Sequence, residues 1–333
     1  MNSDILKSCY QKIPAQYLEG IDPLFIVGPT SSGKTALAIY IAKLHGPCAI
    51  ISADSRQIYI GLDIVTGKEE SRPKTQNSNP RFEPYKIEGI DHYLLDILKP
   101  NQSYTMFDFK EDCQNLIRDL SQKGIKPIIA GGTGLYIDAV INNYQLNLPD
   151  KSFDPEIKKQ IEENFNNDTN NFSKEEALEL QYKQLLELDP HSARKIHKNN
   201  LHGVQRALEF ALTTKKSKDL QKTIDRPNFD YKMIYLKPDR AWLYQKIEAR
   251  VIKMFENGLV DETKKLINDF SLNLPSLSSI GYSQVISYLN SEISYEKAIE
   301  LMQQATRQYA KRQYTWFNRY KPNTNCLTIE YPD

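Results

Sequence analysis

Gly28-Pro29-Thr30-Ser31-Ser32-Gly33-Lys34-Thr35 spells G-x-x-x-x-G-K-[ST], a phosphate-binding loop. The apolar run Leu24-Phe25-Ile26-Val27 leads into it, and Ala36 to Leu44 reads as the helix leading out. A strand, a glycine-bearing turn and a helix in that order aim backbone N–H groups and the positive helix end at one anion. Lys34 then reaches a phosphate as a point charge, and the Thr35 hydroxyl is suited to ligate Mg²⁺. The Thr30 hydroxyl either faces the bridging oxygen of a diphosphate, where leaving-group charge develops, or stabilises the turn. The loop makes the ligand a phosphate compound without making it ATP.

Outward from the loop, strand and helix signals alternate. Cys48 to Ser52 is a second strand, Tyr93 to Ile97 a candidate third, and Pro127 to Ala130 another. Ser71 to Pro84 holds three prolines and reads as a loop, and Phe107 to Lys123 reads as a helix stopped at Gly124. This alternation predicts an α/β fold: a P-loop parallel sheet flanked by helices, with ligands at the carboxyl ends of the strands. Residues 1–149 are the first part of that core. After Pro149 the chain turns charged and Asn-rich, with helical patterning from Glu175 to Leu188, so 150–200 is expected to be a mostly helical inserted domain. Composition alone leaves open whether that insertion has a role. Residues 201–333 complete the core, with a strand at Tyr231 to Leu236 and mostly helix from Arg240 onward.

The second strand runs into Asp54-Ser55-Arg56-Gln57, expected beside the phosphate loop. A carboxylate there serves as metal ligand, as general base or as a helix cap. Ser55, Arg56 and Gln57 donate and accept hydrogen bonds of the kind a purine edge requires. Gly131-Gly132-Thr133-Gly134 follows another strand and puts Thr133 on the same rim. That strand ends without an aspartate, so the magnesium carboxylate usual in an ATPase is missing there. From Arg307 to Lys321 the cations Arg307, Lys311, Arg312, Arg319 and Lys321 alternate with Tyr309, Tyr314, Trp316, Phe317 and Tyr320. Such a stretch suits a phosphate backbone with splayed bases, or an amphipathic helix with aromatics in the core and cations in solvent.

The bulk numbers narrow the class. With 333 residues, 40% apolar and 26% charged, the chain is of soluble globular composition. A formal charge of +1 means that affinity for nucleic acid must come from local basic surface. Cys9, Cys48, Cys113 and Cys326 are far apart and lack metal-ligand or redox spacing, which suits a reducing cytoplasm. No segment approaches the roughly 20 apolar residues of a membrane span.

Taken together, the segments resemble the bacterial tRNA dimethylallyltransferases, also called tRNA isopentenyltransferases. The resemblance runs from about residue 24 to 320. It rests on Gly28–Thr35, on Ile51 to Tyr59 with Gly61 to Ile64, on Asp91 to Asp96, and on Gly131 to Tyr136. Further matches are Arg206 to Glu209, Ile280-Gly281-Tyr282, and Ala305 to Gln308 with Ala310 to Trp316. The resemblance implies transfer of a dimethylallyl group from dimethylallyl diphosphate to the N6 amine of the adenosine 3′ of the anticodon. The target base is flipped into a channel and the insertion clasps the anticodon stem-loop. A cytoplasmic location and a monomeric state are further expectations, and no counterpart of the zinc-binding C-terminal extension of eukaryotic relatives is expected.

Carried onto this chain, the family pattern makes Asp54 the general base, with Thr30 and Arg250 assisting. Gly28, Pro29, Thr30, Ser31, Ser32, Gly33, Lys34 and Thr35 hold the diphosphate, Arg240 being a second arginine candidate, and Thr35 is the Mg²⁺ ligand. The tRNA contacts are Asp54, Ser55, Arg56, Gln57, Thr133, Arg206, Gly281, Tyr282, Lys311 and Arg312. The chain departs from the pattern at His202-Gly203, where the family carries Gln-Arg, and at Ser283, where it carries arginine. An enzyme prenylating free adenine nucleotides, or a P-loop phosphotransferase using ATP, is the alternative. The first needs no tRNA-gripping insertion, and the second leaves Asp54 to Gln57 unexplained.

Overall fold

Nine strands occur among the described residues: β1 (Leu24–Val27), β2 (Cys48–Ser52), β3 (Tyr85–Ile87), β4 (Ile90–Tyr93), β5 (Lys126–Gly131), β6 (Gln145–Leu146), β7 (Lys222–Thr223), β8 (Lys232–Pro238) and β9 (Cys326–Tyr331). The structure, a computed structural model, describes residues 3–68, 81–146, 155–214, 222–223, 229–270, 274, 276–277 and 279–332. Seven strands form one sheet in the order β3-β4-β2-β5-β1-β8-β9. Only β3 runs antiparallel to its neighbour. Strands β1, β2 and β5 are buried along their whole length, which is why they read as unbroken apolar runs. Their side chains divide by the period of two: Phe25, Ile51, Ile129 and Met233 join one core, and Ile26, Ile50, Ile128 and Ile234 the other.

The helices are α1 (Ser3–Gln11), α2 (Ala15–Leu18), α3 (Lys34–Leu44), α4 (Met106–Gln122), α5 (Gly134–Ile141), α6 (Pro155–Asn171), α7 (Lys174–Leu188), α8 (Pro190–Lys195), α9 (Leu201–Thr214), α10 (Arg240–Glu256), α11 (Leu259–Phe270), α12 (Tyr282–Leu289) and α13 (Tyr295–Phe317). Cys9, Leu37 and Ile41 seat α1 and α3 on one sheet face. Phe109, Ile137, Val251, Leu266, Val285 and Tyr314 seat α4, α5 and α10–α13 on the other. Helix α4 starts in a capping box between Thr105 and Asp108. No described helix is long and apolar enough to cross a membrane.

The sequence expectation of an α/β fold with a parallel sheet holds, with differences of detail. The strand expected at Tyr93 to Ile97 is instead β4, Ile90–Tyr93, sharing only Tyr93 with the expectation, because Leu94 and Asp96 take φ of 60° and 50° and turn the chain away. β9 was not foreseen: Cys326–Tyr331 is a short edge strand that pairs in register with β8. β3 likewise follows the expected loop 71–84, whose residues 71–80 lie outside the described ones.

The chain divides into two compact units, Met1–Ile141 with Pro227–Asp333, and Asn142–Arg226. The second unit holds α6–α9 and the antiparallel pair β6–β7. Its core is built from Ile161, Leu185, Ala193, Val204, Ala207 and Leu208. It is wider than the expected 150–200, because α9 contributes its apolar face, Val204, Ala207 and Leu208, to that core. Arg206 therefore belongs to the second unit. The expected boundary at 149/150 lies outside the described residues.

Candidate active site

The loop after β1 is shaped by three backbone constraints. Ser31 and Gly33 have φ of 62° and 80°, the left-handed geometry that coils successive N–H groups around an anion. At Gly28 a Cβ would lie 2.5 Å from the Leu236 carbonyl oxygen, so only glycine lets the loop pass β8 this closely. Behind the loop, the Tyr331 hydroxyl of β9 donates to the Ser32 carbonyl. The Ser31 and Ser32 hydroxyls are buried without a protein partner. Buried hydroxyls of that kind are costly unless a ligand takes them.

Lys34 opens α3 and donates to the Pro29 carbonyl at 2.7 Å. Burial holds its pKa down at about 8; the Asp54 carboxylate opposes that shift and Arg250 adds to it. The Arg250 guanidinium lies 3.4 Å from the Thr30 hydroxyl. Burial lowers its pKa too, against the upward pull of Asp54. Asp54 is thus the carboxylate that both loop-side cations feel.

Asp54 reaches the loop by a different route from the one expected. β5 lies between β1 and β2, so the second strand is not the loop's neighbour. The gap is closed at Gly131, where a Cβ would lie 2.2 Å from the Ala53 carbonyl oxygen. Two hydrogen bonds extend the pairing past the strands' ends: Ala53 N–H to Ala130 O at 2.9 Å and Thr133 N–H to Ala53 O at 3.2 Å. The Ser55 N–H then donates to the Thr133 hydroxyl at 3.1 Å. Asp54 Oδ1 accepts the Arg56 N–H at 2.9 Å, which fixes the carboxylate by a turn. The capping alternative is partly realised, but the carboxylate still acts on Lys34 and Arg250.

Gln57 donates to the Thr66 carbonyl at 3.2 Å. It therefore ties the segment after Asp54 to the turn at Thr66-Gly67. That turn backs Arg250: a Cβ on Gly67, at φ 64°, would lie 2.3 Å from Arg250 Nη2. Buried Lys68 anchors the turn, donating to the Tyr59 carbonyl and pairing with Asp96 and Asp63.

Three expected site residues fall elsewhere. Arg240 lies in a cleft of about 630 Å³ with Lys237, Lys321 and Tyr331, its guanidinium 5.7 Å from the Tyr314 ring centroid. Arg250, not Arg240, reaches the phosphate loop in the structure. Tyr282 is fully buried and donates to Glu262 at 2.7 Å, while Glu262 accepts the N–H groups of Asp63 and Ile64. With no surface to offer tRNA, it holds the Asp63-Ile64 backbone in place through Glu262. Gly281, at φ 104°, is also buried: a Cβ there would lie 2.4 Å from Val65 Cγ2.

The basic-aromatic stretch is α13 and its exit. Arg307 pairs with Glu248 at 2.7 Å, Arg319 with Asp138 at 3.3 Å and Lys321 with Glu330 at 3.5 Å. Lys311 and Arg312 are exposed. Tyr314, Phe317 and Tyr320 are core residues. Tyr309 differs: its hydroxyl is pushed up to about 12 by burial and by the Asp54 charge, with the nearby Thr133 opposing the shift. Arg206 is exposed on α9 and pairs with buried Glu209 at 3.3 Å. In that unit the Gly203 N–H donates to Asn200 Oδ1 at 3.0 Å, beside exposed His202.

Sequence reading missed Tyr309, Gly67 and Gln313 as site residues. Gln313 is buried in the motif Ala310 to Trp316, and its amide meets the loop directly. Its position within a quoted motif was the available signal.

No three His, Cys, Asp or Glu side chains cluster to hold a metal among the described residues. Magnesium, however, keeps most of its waters and needs one or two protein groups plus phosphate oxygens. The exposed Thr35 hydroxyl beside the loop fits a magnesium ion that arrives with a diphosphate.

Comparison with known proteins shows the family. A family model described as IPP transferase matches residues 57–320, and one described as isopentenyl transferase matches residues 22–78. The tRNA dimethylallyltransferase of Acetivibrio thermocellus is 39% identical over 300 residues, 89% of this chain and 88% of that one. That of Staphylococcus haemolyticus is 38% identical over 311 residues, covering 92% and 85%. A full-length tRNA isopentenylpyrophosphate transferase from Bacillus halodurans superposes with a TM-score of 0.59 at 33% identity, covering 93% of this chain and 90% of that one. A eukaryotic dimethylallyltransferase captured acting on tRNA gives a TM-score of 0.68 at 26% identity, covering 93% and 74%. Matched by the IPP transferase model over residues 57–320, and 39% and 38% identical to two tRNA dimethylallyltransferases along about nine-tenths of its length, the chain belongs to the tRNA dimethylallyltransferase (IPP transferase) family.

Proposed function

We propose that the chain transfers the dimethylallyl group of dimethylallyl diphosphate to the exocyclic N6 amine of the adenosine 3′ of a tRNA anticodon. What carries the reading is one juxtaposition. A phosphate loop bearing Lys34 and Thr30 has Arg250 3.4 Å from the Thr30 hydroxyl, and Asp54 acts on both cations.

An adenine amine is a weak nucleophile. Asp54 accepts its proton as the new carbon–nitrogen bond forms, while the allylic carbon–oxygen bond breaks and its electron pair leaves with diphosphate. Lys34, Arg250, the Thr30 hydroxyl and the loop N–H groups are positioned to stabilise that leaving charge. When bound, Mg²⁺ adds positive charge at the diphosphate, held on the protein side by Thr35. Ser55, Arg56, Gln57 and Thr133 form the rim for the flipped base, with Tyr309 beside them. Arg206, Lys311 and Arg312 are exposed cations suited to the RNA backbone.

Calorimetry with the two candidate donors tests the donor side. Dimethylallyl diphosphate with magnesium binds; ATP binds far more weakly. Tight ATP uptake without isoprenoid uptake would contradict the assignment.

A further inference from the structure

We infer that Gln313 is a positioning residue for this transfer, holding the donor loop in register through the backbone of Thr30. The inference rests on the proposed function and adds a residue to it.

The Gln313 side chain is buried, 5% exposed, where α13 meets the sheet's carboxyl edge. Its Oε1 accepts the Thr30 N–H at 2.8 Å, and its Nε2 donates to the Gly132 carbonyl at 2.9 Å. One bond needs an acceptor and the other a donor, so the orientation of the amide is fixed by the chemistry of its two partners. Gly132 is built for the approach: a Cβ there would lie 2.4 Å from Nε2.

Thr30 is held from two sides. Its N–H is drawn toward α13 by Gln313, and its hydroxyl lies 3.4 Å from Arg250. Without the first contact, the N–H would swing toward another acceptor and carry the hydroxyl with it. The reach is specific. Asparagine is one methylene short, methionine keeps the length but has no donor, and ionised glutamate has an acceptor but sets negative charge against the Gly132 carbonyl. A protonated glutamate restores both bonds. One turn earlier on α13, Tyr309 meets Thr133 and the Asp54 charge. The same helix face therefore sets the donor loop and the acceptor rim, while Lys311 and Arg312 between them stay exposed.

The test measures labelled dimethylallyl transfer to tRNA by wild type, Gln313→Met and Gln313→Glu, with kcat and KM taken separately. Rates are expressed per donor site titrated with inorganic pyrophosphate, so that partial unfolding does not count as lost chemistry. Gln313→Met is expected to lose about 10- to 100-fold in kcat, the cost of a misplaced catalytic group. Its KM for tRNA should stay within about three-fold of wild type. Gln313→Glu is expected to be as slow near neutrality and to recover relative to wild type toward about pH 5.5, as the carboxyl gains the missing proton. A per-site kcat for Gln313→Met within about two-fold of wild type overturns the inference, as does a Glu-to-wild-type ratio that stays flat with pH. Wild type that transfers nothing to tRNA defeats the proposed function itself, and the inference with it.

Discussion

Asp54 and Lys34 show what a single residue contributes and how much of it is legible beforehand. The loop pattern names Lys34, and the strand before Asp54 names a carboxylate at a carboxyl edge. Neither pattern gives the electrostatic relation between them, because it depends on which strand lies between. Replacing Asp54 with asparagine keeps the shape and removes the proton acceptor. The rate should fall roughly 10²- to 10⁴-fold in single-turnover transfer. Donor affinity should hold or rise, because a carboxylate near the anion has been removed. Near-normal turnover would take the base role from Asp54. Lys34 titrates from about 8 in the fold, below its ordinary value of 10.5. Between those two pH values the unfolded chain binds more protons than the folded one. This group's contribution to stability therefore rises with pH across that window, while its usefulness to an anion falls. Donor affinity should decline as pH rises through about 8. Calorimetry in buffers of different ionisation enthalpy should show protons taken up on binding there. Binding without proton uptake would place Lys34 outside the anion's reach.

At the scale of elements, the sequence makes the strands and helices visible but hides their neighbours. Buried parallel strands announce themselves as apolar runs: Leu24–Val27 and Cys48–Ser52 are visible in full, and Pro127 to Ala130 marks the middle of Lys126–Gly131. Their lateral order was not, because nothing local in Cys48–Ser52 says that β5 separates it from β1. β9 escaped because its strand signal is short and follows the helical α13. Glycines carry the packing information that the apolar pattern lacks. Gly131 lets β2 and β5 close together, and Gly67 leaves room for the Arg250 guanidinium. Gly67→Ala adds a methyl group 2.3 Å from Arg250 Nη2 at a φ of 64°. The strained backbone should cost about 1 kcal/mol of stability, read from denaturant unfolding. The displaced arginine should lower kcat about ten-fold or more, with little change in the affinity for tRNA. A variant with unaltered kcat would mean that Arg250 does not depend on the turn.

For the molecule as a whole, the family was legible because its motifs recur in order along both units, and the details of RNA contact were not. The basic run before Lys321 looked like one surface, yet Arg307, Arg319 and Lys321 are tied to Glu248, Asp138 and Glu330. These acids lie 59, 181 and 9 residues away in sequence, beyond any local pattern. Tyr282 likewise read as a tRNA contact and proved to be a buried support, through Glu262, for the Asp63-Ile64 backbone. The residues around the phosphate loop could mostly be named from sequence, whereas those around α13 take their places through tertiary contacts. The most direct measurement of the account is therefore the acceptor. Labelled dimethylallyl diphosphate and magnesium are incubated with tRNA, with AMP and with neither. The account predicts label on the tRNA adenosine next to the anticodon and none on AMP; label on AMP with unmodified tRNA would contradict it.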